Sequence, residues 1–354
     1  MSWDNVAGVS SAQVWTDNPD MTQAWLFANG NHQVKLTIGV SFNLTDKTQP
    51  GPTQDEVTAA LTLINYKSGA GISYLKAGAA GDYLASYLPN TAPTVKQAAA
   101  ADTGHFQYEI LYYLSSDSSI NPSYMSESVA LLLTYTNKDG QEIEYSTASN
   151  SKSQSYVAVT VYPPKQYGIA NSNSNSTPIT ITLIEDKPDQ KVVNKSQYVE
   201  EISECDVKIF RLNIDDSYFR IISFEGSDEL LTGNPFNING SSELVKNQPY
   251  SEFKITEHYI CKDNLVNQGS NSYSTQFNFN YNDSGTLLFT DQLTVFQQPN
   301  EIIFFHVWAH IYADNENYSN HSGSLSFYAY DQFGNKMDIE VTATNDGFNI
   351  SSVV

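Results

Sequence analysis

The chain of 354 residues carries a formal net charge of −21 and contains two arginines, Arg211 and Arg220. So acidic a chain repels phosphate backbones and anionic membrane surfaces, which argues against nucleic-acid binding. Cations, Ca²⁺ in particular, are natural partners of an acidic surface, but we favour the simpler explanation that the charge keeps a β-rich protein soluble and hinders edge-to-edge association.

Length and residue usage predict an all-β protein with two domains. A chain of this size usually divides in two, and its many Tyr, Thr, Val and Ile residues favour strands over helices. Short alternating runs between turn residues are typical of two tandem antiparallel β-sandwich domains of immunoglobulin-like or jelly-roll type. No apolar run reaches the ~18 residues of a transmembrane helix, so we expect no transmembrane segment.

The N-terminus and the cysteines say little about the compartment. The start of the chain has neither a basic nor an apolar region, so we expect no secretory signal peptide. This favours a bacterial protein that is made in the cytoplasm and released, if at all, by lysis or by a route without a signal peptide. The two cysteines, Cys205 and Cys261, could form one disulfide or remain two buried thiols.

The first half contains a predicted strand and, further along the chain, a predicted insertion. Residues 34–44 alternate apolar with polar side chains, whereas residues 54–66 begin like a helical turn and end like a strand. Residues 67–104 are rich in Ala and Gly and have no counterpart in the second half. Such insertions often carry binding or assembly, and the alternative is a surface loop with a short helix near residues 82–87.

Two later stretches, residues 106–148 and 303–342, share one pattern of strand, polar loop, strand, glycine turn and strand. Their turns end at Gly140 and Gly334, where a short hairpin requires positive φ. Residues 273–281 also match the strand at 34–44. Three matched elements in the same order favour an internal duplication that relates the two domains.

The domain boundary is predicted from composition. Residues 170–178 are polar and of low complexity, which is typical of a linker. We therefore expect an N-terminal β-sandwich over residues 1–169, with its insertion at about 67–104, and a C-terminal β-sandwich over residues 179–354.

The most distinctive candidate site is an aromatic face in the second half. If Ile303, Phe305 and Val307 face the core, the side chains between them face away from it. A flat aromatic patch with polar tips is able to stack sugar rings or bind a protein partner. The predicted ligand-binding residues are His306, Trp308, His310, Tyr312, Tyr328 and Tyr330.

Metal binding is a weaker expectation. His306 and His310 would stand roughly 13 Å apart on a strand, too far to bind one ion together. A loop of oxygen donors is a candidate Ca²⁺ site, although a solvated turn is the simpler interpretation, and it contains Asp314, Asn315, Glu316 and Asn317. We expect no other cofactor.

The sequence contains no G-x-S-x-G, H-E-x-x-H, Walker, dinucleotide-binding or C-x-x-C motif, so we expect no enzyme. We expect a non-enzymatic bacterial recognition protein that binds a cell-surface glycan or a host protein. One alternative is a self-assembling structural protein, a filament, fibre or inclusion subunit whose partners are copies of itself. Another is an insecticidal or other toxin component that acts on host membranes.

Overall fold

The computed structural model of the chain describes residues 2–17, 22–87, 106–116, 125–169, 176–188, 192–194, 199–226, 236–247, 251–261, 269–273, 276–279, 285–289, 293–297, 302–313 and 321–353. The protein is all-β, and its strands form several sheets. The alternation of apolar and polar residues therefore predicted an all-β protein correctly.

The chain divides into two compact units. Unit 1 comprises Met1–Pro164 with Phe333–Asn335, and unit 2 comprises Lys165–Gln332 with Lys336–Val354. Most of the predicted linker at residues 170–178 lies outside the described residues.

The described part of unit 1 contains two sheets and two short helical segments. The helical segments are a 3₁₀ helix at Ser2–Asn5 and α1 at Gln54–Ala60. The first sheet has the order β1 (Val6–Thr16), β3 (Val34–Leu44), β6 (Tyr108–Ser116) and β5 (Leu75–Gly78). The second has the order β2 (Gln23–Phe27), β9 (Val157–Tyr162), β7 (Met125–Thr136) and β4 (Leu61–Asn65), and β8 (Glu142–Ser146) also pairs with β7.

Buried residues from both sheets form one core in unit 1. The alternating residues Leu36, Ile38 and Val40 of β3 are fully buried, as are Val157 and Val159 of β9. The strand predicted at residues 34–44 is thus confirmed, and its alternation marks the face that packs inward.

The ambiguous stretch at residues 54–66 is a helix followed directly by a strand. The Thr53 hydroxyl accepts a hydrogen bond from the Glu56 amide, and the Glu56 carboxylate accepts one from the Thr53 amide, which forms a capping box. The helix ends where Leu61 takes an extended conformation and begins β4.

The described part of the insertion, residues 67–87, adds a strand and an irregular segment to unit 1. β5 pairs antiparallel with β6 at the edge of the first sheet. Residues 82–87 contain no helix, which corrects the short helix considered there. Hydrogen bonds from the Gln33 amide to the Tyr83 carbonyl and from the His32 ring to the Ala85 carbonyl hold this segment instead.

Unit 2 is built around a seven-stranded sheet. Its order is β10 (Tyr167–Ile169), β11 (Thr177–Lys187), β13 (Val199–Ile214), β21 (Ile302–Ala313), β16 (Ser251–Cys261), β15 (Phe236–Asn247) and β22 (His321–Ser322). A four-stranded sheet has the order β14 (Ile221–Glu225), β23 (Ser324–Asp331), β24 (Lys336–Thr344) and β25 (Gly347–Val353).

Two smaller sheets complete the described part of unit 2. One contains β12 (Val192–Asn194), β19 (Gly285–Phe289) and β18 (Gln276–Phe279), and the other contains β17 (Gly269–Tyr273) and β20 (Leu293–Gln297). The predicted match between residues 34–44 and 273–281 has no counterpart in this pairing. β3 pairs with β6, whereas β17 and β18 pair with β20 and β19 rather than with β21.

Among the described strands, pairing is mostly antiparallel, as predicted, with two parallel exceptions. β2 runs parallel to β9 in unit 1, and β10 runs parallel to β11 in unit 2. β10 is three residues long and β2 is five, so both exceptions involve short strands.

Candidate functional site

One face of the seven-stranded sheet carries three rows of mainly polar side chains, which we call the polar face of unit 2. Residues opposite each other on antiparallel strands point to the same face, so the register of β13, β21, β16 and β15 defines the rows. The rows are Lys208, His306, His258 and Asn239; Asp206, Trp308, Thr256 and Ser241; and Glu204, His310, Lys254 and Glu243.

His306, which was predicted to face outward, is 2% exposed. The Phe348 ring of β25 packs over this end of the polar face, 5.0 Å from the ring of Phe304 and 5.3 Å from the ring of His258. Residues 302–307 of β21 are all buried, because this strand is central in its sheet and is covered on both faces. Alternation separated the two faces correctly but could not show that both are covered.

His258 and His306 form a buried pair whose ring centroids are 4.8 Å apart. Nε2 of His258 lies 2.8 Å from the Thr344 carbonyl oxygen, and Nε2 of His306 lies 3.1 Å from the Asn345 carbonyl oxygen. A carbonyl only accepts hydrogen bonds, so both rings carry their proton on Nε2. Together they hold the turn between β24 and β25 against the sheet.

Burial keeps both imidazoles neutral near pH 7. It lowers the pKa of His306 to about 4, with a smaller contribution from His258 beside it, and it also lowers the pKa of His258. The hydrogen bonds to the turn carbonyls oppose these shifts without cancelling them. Within the described residues, Nδ1 of His306 has no hydrogen-bond partner, so the atom that would take a second proton is buried and unsatisfied.

Trp308 and His310 are half-buried and remain at the open end of the polar face. The Lys254 ammonium lies 5.0 Å from the centroid of the Trp308 ring, within cation–π range. The His310 ring meets the Trp308 ring at 5.3 Å, and its Nδ1 lies 3.4 Å from a Glu204 carboxylate oxygen. Trp308 is therefore braced by neighbours, with only part of its ring available to a ligand.

Two of the three predicted tyrosines, Tyr328 and Tyr330, do not join this surface. Tyr312 lies on β21, but its side chain is outside the described residues. Tyr328 and Tyr330 lie on β23 in the four-stranded sheet, where Tyr328 is 39% exposed beneath the Lys336 ammonium and Tyr330 donates a hydrogen bond to Glu225. The prediction placed them beside Trp308 because it assumed that consecutive strands pair.

A polar cavity of about 260 Å³ opens beside the histidine pair. One side is the turn at residues 343–346, which the two imidazoles hold in place. The sheet supplies Lys254, Thr256 and His258 from β16 and Asn239, Ser241 and Glu243 from β15. The cavity thus combines hydroxyl, amide, ammonium and carboxylate groups within a small volume.

Sequence reasoning missed the β16 and β15 residues of this cavity. Lys254, Thr256 and His258 alternate along one face of β16, which is the same signal that identified Trp308 and His310 on β21. The register that brings the two strands together joins residues about fifty positions apart, and no local pattern specifies it.

The other predicted sites are not supported by the described residues or lie outside them. Asp314, Asn315, Glu316 and Asn317 lie outside the described residues. Cys205 is a buried free thiol whose pKa burial raises to about 12, which corrects the possible disulfide. Cys205 is opposite Ala309 and Cys261 is opposite Ile303, so they are roughly 20 Å apart along β21 at ~3.3 Å per residue.

Among the described residues, no group of three or more His, Cys, Asp or Glu side chains could hold a metal ion. Those ranges also lack a helix with the length and apolar character needed to cross a membrane. Comparison with protein-family models found no match, and comparison with curated proteins found no similar sequence.

Proposed function

We propose that this chain is a non-enzymatic recognition protein and that the polar face of unit 2 binds a glycan. The observation that carries the proposal is the cavity of about 260 Å³ between the turn at residues 343–346 and the side chains of β15 and β16. Sugars present closely spaced hydroxyl groups that both donate and accept hydrogen bonds. The lining of this cavity offers both kinds of partner at short spacing.

The charges beside the cavity favour a neutral ligand over a phosphorylated one. Lys254 is an ammonium group in the lining, which also contains two carboxylates, Glu243 and Asp346. The surrounding protein is strongly acidic, which disfavours anions further. Trp308 lies next to Thr256 on the same face and offers a partly accessible ring at the edge of the site.

The proposal is tested with the full chain on an array of immobilised glycans, followed by calorimetry with the best ligand. Thr256→Val removes one cavity hydroxyl at constant shape and is expected to weaken binding roughly tenfold, the effect of one lost hydrogen bond. Trp308→Ala is expected to remove most binding while the chain stays folded. Ser326→Ala on the exposed face of β23 is the matched control and should bind as the parent chain does.

If no glycan shows saturable binding to the chain, the proposal is contradicted. Equal affinity of Thr256→Val and Ser326→Ala would contradict the assignment of the site, even if a glycan binds elsewhere. Near-ultraviolet circular dichroism of each variant separates a lost contact from a lost fold.

We also propose that each unit is a β-sandwich and that the two arose by duplication. In unit 1 one core takes residues from both sheets, which is how a sandwich packs. In both halves the first strand of the repeated pattern lies in one sheet, and the next two strands form a hairpin in another. Gly140 and Gly334 end the matching turns with φ values of 77° and 72°. A profile comparison of many relatives would test common ancestry.

Self-assembly is the second candidate function, favoured by the edge of β15. Among the described residues, pairing on the outer side of this strand ends at Gly240, opposite His321. Leu244 and Val245 further along the strand are each 52% exposed. An apolar edge of this kind is able to pair with another chain.

Light scattering over a wide range of protein concentration tests self-assembly. Growth of the mass with concentration, abolished by Val245→Lys, is the expected result if β15 pairs between copies. A constant monomer mass would reject this candidate.

A further inference from the structure

Unit 1 contains a pocket of about 250 Å³ that the sequence did not predict. Trp25 lies at one wall, and Lys35 of β3 stands opposite Tyr113 of β6 at another. The irregular segment of the insertion, with Leu84 and Tyr87, supplies the remaining side. Strands and insertion therefore build the pocket together, and every one of these residues belongs to unit 1.

The insertion segment is fixed to the strands by a run of hydrogen bonds. The Gln33 amide donates to the Tyr83 carbonyl at 2.9 Å, and the Gln33 side chain bonds to Ala79 and to the Gly81 amide. Nε2 of the buried His32 lies 2.9 Å from the Ala85 carbonyl. These contacts preform the wall of the pocket, which lowers the ordering cost of binding.

Tyr87 anchors the far end of the same segment. Its ring centroid lies 4.6 Å from that of Phe27 and 5.5 Å from that of Tyr162. Half of the pocket is consequently aromatic and apolar, with Trp25 6% exposed and Leu84 42% exposed.

The opposite half of the pocket is polar and electrically balanced. The Lys35 ammonium lies 2.8 Å from a carboxylate oxygen of Asp17, and this hydrogen bond raises the pKa of Lys35. Gln33 and Ser86 add an amide and a hydroxyl. A pocket whose charges cancel favours a neutral ligand, and the contrast between its halves favours one with an apolar face and a polar edge.

We propose that this pocket of unit 1 binds a single pyranose ring. A pyranose has an apolar face of C–H groups that packs on aromatic rings, and its hydroxyl edge matches the ammonium, carboxylate and amide groups of Lys35, Asp17 and Gln33. The volume lies just below the ~300 to 1,000 Å³ of sites for larger ligands, which limits the occupant to about one ring. This site is separate from the polar face of unit 2, and the two proposals stand or fall independently.

The test is calorimetry and ligand-detected NMR with the full chain and a panel of methyl hexopyranosides. A ligand of about a dozen non-hydrogen atoms is expected to bind with millimolar affinity at ordinary ligand efficiency. An open-chain hexitol offers hydroxyls without the ring face and is expected not to bind. Failure of every methyl glycoside, or equal binding of the hexitol, would overturn the proposal.

Variants of the lining residues show where the methyl glycoside binds. Ser86→Trp places a bulky side chain at an exposed loop position in the lining and is expected to abolish binding without disturbing the core. Lys35→Met is expected to weaken binding about tenfold, the effect of losing one charged hydrogen bond. Ser326→Ala on the exposed face of β23, outside both linings, is the control and should leave methyl-glycoside binding unchanged. Unaltered binding by both unit 1 variants would overturn the proposal, and a loss confined to Thr256→Val would assign the ligand to unit 2 instead.

Discussion

The pocket of unit 1 and the cavity of unit 2 have almost the same volume, about 250 and 260 Å³. Their linings differ in chemical character. The unit 1 pocket is divided between aromatic rings and one ion pair. The unit 2 cavity is mainly polar, with hydroxyl, amide and charged groups from two strands and one turn. The first suits a ring with an apolar face, and the second suits a ligand held by hydrogen bonds inside the cavity and by the Trp308 ring at its edge.

Each site is lined by a segment that hydrogen bonds from buried, neutral histidines hold in place. In unit 1, Nε2 of His32 donates to the Ala85 carbonyl, and its Nδ1 accepts from the Phe27 amide at 3.0 Å. In unit 2, His258 and His306 donate to the carbonyls of Thr344 and Asn345. A neutral imidazole with its proton on Nε2 is the form that each arrangement requires.

The two arrangements differ in the consequence of adding a second proton to the imidazole rings. His32 uses both ring nitrogens, so protonation would break its bond from Phe27. In unit 2 two imidazoles stand 4.8 Å apart, and protonation of both would place like charges side by side with Lys208 nearby. Asp346 in the turn is the carboxylate that opposes this repulsion for His306. The paired arrangement is therefore expected to be the more acid-sensitive.

The largest expected effect comes from acidification. Burial lowers the pKa values of His32 and His306 from 6.5 to about 4, so the unfolded chain binds protons that the folded chain does not. Their contribution is complete above pH 6.5 and is lost as the pH falls towards 4, on the order of 3 kcal/mol for each fully buried group. Urea unfolding at a series of pH values measures the loss.

His306→Gln provides the matched comparison for this pH series. The glutamine amide is able to donate to the Asn345 carbonyl but does not titrate, so the fall in stability between pH 6.5 and 4 should be shallower. The carboxylates distant from His306 are common to both proteins, so their contribution cancels from the difference. Parallel curves would show that His306 does not contribute to the acid response.

His32→Ala is expected to cost about 2 to 4 kcal/mol, because it leaves a space in a buried site and removes the partners of the Phe27 amide and the Ala85 carbonyl. His310→Ala is the control, since its ring is half-exposed and its contact with the exposed Glu204 carboxylate contributes less than about 1 kcal/mol. Urea unfolding compares their stabilities, and limited proteolysis near residue 85 reports release of the pocket wall. Similar losses in the two variants would mean that His32 does not anchor the segment.

The sequence predicted the fold class, several strands and the polarity of their faces, because alternation is a local property. The strand at residues 34–44, the helix-to-strand change at residue 61 and the buried alternation of β23 all follow from it. Burial of His306 did not follow, because it depends on Phe348 reaching the polar face from another sheet.

Neither cavity could be predicted from the sequence, because each is formed by contacts that no local sequence pattern specifies. The unit 2 cavity requires the register between Thr256 and Trp308, and the unit 1 pocket requires residues near 85 to lie beside His32. The insertion was singled out by its composition, and part of it does line a pocket. Its composition could not show which side chains would face that pocket.

Substitution of the turn glycines tests the repeated pattern, with a smaller expected change in the free energy of unfolding. Gly140 has a φ of 77° with open space around its Cα, so Gly140→Ala is expected to cost about 1 kcal/mol through backbone strain alone. Gly71→Ala also enters open space but without that strained conformation, so it should be neutral or slightly stabilising. Thermal unfolding compares the two, and an equal effect would remove the conformational argument for the shared turn.

The smallest expected effect is that of Lys35→Met on stability. The Lys35–Asp17 ion pair has side chains that are 35% and 54% exposed, and exposed pairs contribute at most about 1 kcal/mol. Unfolding in urea at low salt and at 0.5 M salt, on the order of the concentration that screens surface charges, should therefore give nearly the parent value. A loss of several kcal/mol would make the pair a structural element of unit 1, whereas a neutral result combined with weaker methyl-glycoside binding separates its role in the pocket from folding.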